Sequence, residues 1–140
     1  MKYFKFLLLL PLLMAFQCGD DLEIIDDSLN ETGLLGRWEI NSEVMNGNIM
    51  DLLPKCCKLI EFRTDENEDD LIGMYVYTED TNNVYSGIFT VDLNSDTIVF
   101  EPSNNQIFTY GFLMNNNFTE LTFNFTDNGV SFQQTWVKRD

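Results

Sequence analysis

Histidine is missing from the 140-residue chain, alanine occurs once, at Ala15, and Lys and Arg together number only 8 against 23 Asp and Glu. Without histidine the commonest general base, the usual zinc ligand and the base of Ser-His or Cys-His nucleophile pairs are all gone. The shortage of cations, with a formal net charge of −15, argues against nucleic acid, because phosphate binding runs on clustered Lys and Arg. It also argues against docking on anionic lipid headgroups through a basic patch. Alanine is the best helix former, whereas the Thr and Phe abundant after Pro54 fit a pleated, half-buried surface. The composition therefore predicts an all-β chain, and the length one domain with a modest core.

The beginning of the chain reads as an address. Lys2 and Lys5 precede an apolar stretch from Phe6 to Phe16, broken by Pro11 and followed by Gln17 and Cys18. That stretch is shorter than the roughly 20 apolar residues a bilayer core takes, and has the length of a signal-peptide h-region. An apolar run ending on a cysteine resembles the signal of bacterial lipoproteins of the Bacteroidetes type. The resemblance implies removal of residues 1–17, lipidation at Cys18 and anchoring in the cell envelope, at the outer membrane, facing the periplasm or the surface. An ordinary signal peptide with Cys18 in a disulfide is the alternative. Residues 18–32 carry Asp20, Asp21, Glu23, Asp26, Asp27 and Glu31 and read as a solvated acidic spacer. Loss of the leader would leave six basic residues against 23 acidic ones.

From Gly33 to Asp140 the chain reads as a meander of eight β-like runs: Arg37–Met45, Lys58–Thr64, Leu71–Thr78, Val84–Leu93, Thr97–Glu101, Gln106–Met114, Phe118–Thr126 and Val130–Arg139. Asn, Asp, Gly and Ser clusters separate them, and Asp127-Asn128-Gly129 is the clearest hairpin. Short connections force antiparallel neighbours, and closing the row into an up-and-down barrel removes its two edges. Alternation puts Trp38, Ile40, Ser42 and Val44 on one face of the first run, and Leu121, Phe123 and Phe125 on one face of the seventh. The third, fourth and sixth runs are apolar on both faces, so their orientation stays open.

Leu34-Leu35-Gly36-Arg37-Trp38, opening the first run, resembles the Gly-x-Trp signature of lipocalins and lipocalin-like domains. The resemblance covers about Leu34 to Asp140 and implies an eight-stranded barrel with Gly36 and Trp38 at its closed end. It further implies a basic residue from the last strand packed across the tryptophan, a position that Arg139 or Lys138 matches.

The candidate site for binding is the connection from Asn46 to Cys57. Ile49, Leu52 and Leu53 fall at helical spacing before Pro54. In a lipocalin-like barrel this stripe would either close an apolar cavity as a lid or plug a filled core. Inward aromatics such as Phe62, Phe100 and Phe123 would meet the ligand, or simply form the core. Gly73, Gly87 and Gly111 interrupt runs and mark bends that curl a sheet. Cys56-Cys57 would place one thiol inside and one outside, with a vicinal disulfide the alternative. Asp65 to Asp70 begins like a calcium loop but has Asp70 where Gly is needed and Val76 where Glu is needed, so it reads as a solvated hairpin. Asn30, Asn117 and Asn124 head Asn-x-Thr triplets that would matter only in a eukaryotic secretory protein. No nucleophile-base pair stands out, so the expectation is a non-enzymatic protein without metal or cofactor. Its expected partner is a small hydrophobic ligand. The alternative is a packed barrel acting as a surface module for a protein or glycan.

Overall fold

A computed structural model describes residues 28–52 and 58–140. Nine strands follow one another in chain order: β1 (Gly36–Met45), β2 (Asn48–Met50), β3 (Leu59–Thr64), β4 (Ile72–Thr78), β5 (Val84–Asp92), β6 (Thr97–Pro102), β7 (Phe108–Met114), β8 (Glu120–Asp127) and β9 (Val130–Arg139). Every neighbouring pair is antiparallel, and β1 pairs with β9 to close the row. The result is an eight-stranded barrel, as the turn chemistry predicts, plus the short extra strand β2.

That extra strand corrects one expectation. Asn48–Met50 is not part of a helical stripe; it pairs back on β1, with Val44 opposite Ile49. Asn46 and Gly47 both take positive φ, 48° and 82°, the geometry of a tight Asn-Gly hairpin whose twist matches that of the strands. The turn chemistry thus overrides the apolar spacing, and Ile49 is left 83% exposed. Leu52 packs part-buried against the core, while Leu53, Cys56 and Cys57 lie outside the described residues, as does Cys18.

A second correction concerns the faces of β1. Opposite β9, Ile40 meets Trp136 but Ser42 meets Thr135, a register shift that makes Asn41 a β-bulge. A bulge adds one residue and swaps the faces beyond it. Ser42 and Val44 therefore leave the face of Trp38 and Ile40, and Glu43 joins it opposite Gln134.

Residues Ser28 to Thr32, read as the end of the spacer, fold onto the barrel instead. The short helix α1 (Leu29–Thr32) ends at Gly33, whose φ of 72° is left-handed. Leu29 and Leu34 are fully buried, and the Leu29 amide donates to the Asp70 carbonyl across 3.0 Å. The apolar pair in an otherwise acidic stretch is what docks it.

Inner positions follow from the register. Trp38, Ile60, Tyr77 and Tyr85 are paired one after another, as are Phe89, Phe100 and Phe108. This settles the strands that sequence left open: Tyr75, Tyr77, Phe89, Tyr110 and Phe112 point inward, whereas Met74, Ile88 and Leu113 face out, 47%, 49% and 68% exposed. Gly73 is needed where it stands, because a Cβ there would lie 2.4 Å from the Arg63 carbonyl oxygen and 2.7 Å from the Phe89 ring.

Candidate functional site

The barrel has one filled end and one open end. At the filled end Trp38 is fully buried, its Nε1 donates to the Leu34 carbonyl at 2.7 Å, and Lys138 Nζ lies 5.3 Å from its ring centroid. The same ammonium donates to the Gly33 carbonyl at 3.1 Å. Of the two candidates for this position, Lys138 takes it: it is directly opposite Trp38, and side chains alternate along a strand. Arg139 therefore points outward, where its guanidinium pairs with Glu39.

The interior also holds a layer of phenylalanines. Phe62 meets Phe89 edge to face at 5.0 Å between centroids, Phe100 at 6.1 Å and Phe123 at 6.5 Å. These edge and tilted arrangements are the favourable ones for ring quadrupoles. Phe62, Phe100 and Phe123 are only 1%, 5% and 2% exposed.

The cavity begins on top of this layer. It is about 300 Å³ and partly enclosed. Phe100, Phe123 and Ile60 form its floor, Tyr75, Tyr77, Tyr110 and Trp136 its wall, and Tyr85, Pro102, Asn104, Gln106 and Phe108 its rim. Of the predicted ligand contacts, Phe100 and Phe123 line the cavity, whereas Phe62 lies below the floor. Ile49 and Leu52 are not among the lining residues, though their connection leaves β1 at this same end.

Sequence reasoning missed the tyrosines. All four tyrosines of the barrel line this one cavity. Tyr75 and Tyr77 sit at the two-residue period of one strand face, and that spacing was a usable signal; the apolar Met74 and Val76 beside them hid it. Burial raises the hydroxyl pKa of Tyr75 above its ordinary value. Burial, with Glu79 and Glu43 nearby, raises that of Tyr77 far more, and burial with Asp127 raises that of Tyr110. At neutral pH these phenols are therefore intact and able both to donate and to accept.

Two polar features complete the wall. Gln134 donates its amide to the Glu43 carboxylate, the residue turned inward by the bulge. Trp136 is 3% exposed, meets Tyr77 and Phe123 edge to face, and has a buried Nε1 with no hydrogen-bond partner among the described residues. At the opposite end of the barrel, two carboxylates of the Asp65–Asp70 loop are engaged within it: Asp65 accepts from the Asn67 amide and Asp70 from the Ile72 amide. No group of His, Cys, Asp and Glu among the described residues is arranged to hold a metal ion. No described helix is long and apolar enough to cross a membrane.

No protein-family model matches the chain, and no curated protein is similar to it at a significant level.

Proposed function

We propose that the protein is a lipid-anchored, lipocalin-like binding protein of the cell envelope, whose barrel takes up a small, largely apolar molecule through its open end. The cavity carries this reading. Its volume of about 300 Å³ is at the lower end of the usual range for ligand sites and equals about ten waters' share of the liquid. It therefore suits a compact ligand of one to three rings. Mostly aromatic walls with a few polar atoms are what a small-molecule site needs: area to bury, and groups to orient. The leader ending in Cys18, with acidic residues behind it, supports anchoring. Several acyl chains on one residue hold stably, at about 0.8 kcal/mol for each buried methylene.

The packed-module reading draws on the phenylalanine layer, which fills the lower half of the barrel. It predicts that nothing enters the upper half. Binding of the neutral fluorescent probe N-phenyl-1-naphthylamine to the full chain separates the two. Wild type should enhance the probe's fluorescence. Phe108→Glu, which sets a charge at the cavity rim, should abolish the effect, and Leu113→Glu on the outer face should leave it intact. A wild type that gives no enhancement defeats the ligand reading and leaves the surface module.

A further inference from the structure

The upper half of the barrel differs from an ordinary apolar pocket in its charge. No Lys or Arg lines the cavity. Glu43 lies on the inner face, in register with the cavity-lining Gln134, and its only described polar partner is the Gln134 amide; neither ion pair among the described residues involves it. Glu79 directly follows β4, and Asp127 ends β8, both at the open end of the barrel. An anion entering here would meet charges of its own sign and no compensating cation.

The bulge sharpens the point. With the pairing of Trp38 and Ile40 continued without a break, the position opposite Gln134 would fall to Ser42, which carries no charge. The extra residue at Asn41 breaks the ladder and aims a carboxylate into the barrel instead. Bulges of this kind re-aim side chains beside binding sites, and a part-buried carboxylate without a counter-ion favours one. The carboxylate stands behind the cavity wall, held by the lining residue Gln134. The rings of Tyr77, Tyr85, Tyr110 and Trp136 line that cavity, and ring faces attract a cation within about 6 Å of the centroid, the more so away from water.

We propose that the cavity selects an organic cation: an ammonium or amidinium group on a compact apolar body. Glu43 and the tyrosine rings hold the charge, and Phe100 and Phe123 take the body. This rests on the binding-protein reading and narrows it to a ligand class.

The test is a charge series on one shape, measured on the full chain by displacement of N-phenyl-1-naphthylamine. Benzyltrimethylammonium carries the charge, neopentylbenzene is its neutral carbon isostere, and phenylmethanesulfonate is the anion. The cation should bind about tenfold tighter than neopentylbenzene, from a desolvated cation–π and carboxylate contact. The sulfonate should not displace the probe. Glu43→Gln keeps the side-chain volume and should weaken the cation about tenfold while leaving neopentylbenzene unchanged. Neopentylbenzene binding as tightly as the cation to wild type overturns the proposal, whatever the stability of the variant. So does a Glu43→Gln protein that folds and weakens both ligands equally. If the naphthylamine binds and the cation does not, the cation inference alone fails; if no probe binds, the binding-protein reading fails with it.

Discussion

The barrel buries two tryptophans, Trp38 at the filled end and Trp136 in the wall of the cavity at the open end, and the two are treated differently. Trp38 has its indole N–H bonded to Leu34, an ammonium over its ring and α1 packed nearby. Trp136 is almost as buried but has no hydrogen-bond partner among the described residues and borders a cavity. An unmet buried donor costs about 1–3 kcal/mol, and a void forfeits dispersion contacts on one side. The first end is arranged for stability. The second gives some of it up, as binding sites do when polar groups and space are left for a ligand.

Three substitutions probe this contrast. Trp38→Ala should have the largest effect, about 3–5 kcal/mol of unfolding free energy in a denaturant titration, from a lost large aromatic and an orphaned Leu34 carbonyl. A loss under 1 kcal/mol would mean that the filled end does not hold the barrel together. Trp136→Phe should cost far less, within about 1 kcal/mol, because removing the unpaired N–H offsets part of the lost volume. If it proves as costly as Trp38→Ala, the open end is core by another name. Lys138→Met keeps the stem and removes the charge, and should cost about 0.5–1 kcal/mol through the lost cation–π contact and the bond to Gly33. Adding salt should narrow the difference between it and wild type, since a part-exposed charge is screened; a difference indifferent to salt would assign the lysine's contribution to its stem.

Much of the barrel is legible in the chain. Asn-Gly and Asp-rich turns alternate with runs of Thr, Val and aromatic residues, which forces successive strands into antiparallel neighbours. Closure then follows from the cost of unpaired edges. The Gly36-Arg37-Trp38 signature marks the filled end, and the structure places a basic residue, Lys138, across that tryptophan. Two local readings went astray for one reason: short-range signals competed. At Asn46-Gly47 the turn outweighed the helical spacing of Ile49 and Leu52, and at Asn41 a bulge reversed the faces that alternation assigns.

The chain by itself thus determined the strand sequence, the antiparallel order and the aromatic interior, because hairpin turns and period-two patterns act over a few residues. Only the tertiary structure decided the site. Whether Tyr75, Tyr77, Tyr85 and Tyr110 converge depends on register across four strands, and whether Glu43 faces in depends on one extra residue in β1. Closing the row around them then decided how much space they enclose. No local pattern carries those facts, since they are set by which strands meet and where the packed phenylalanines stop.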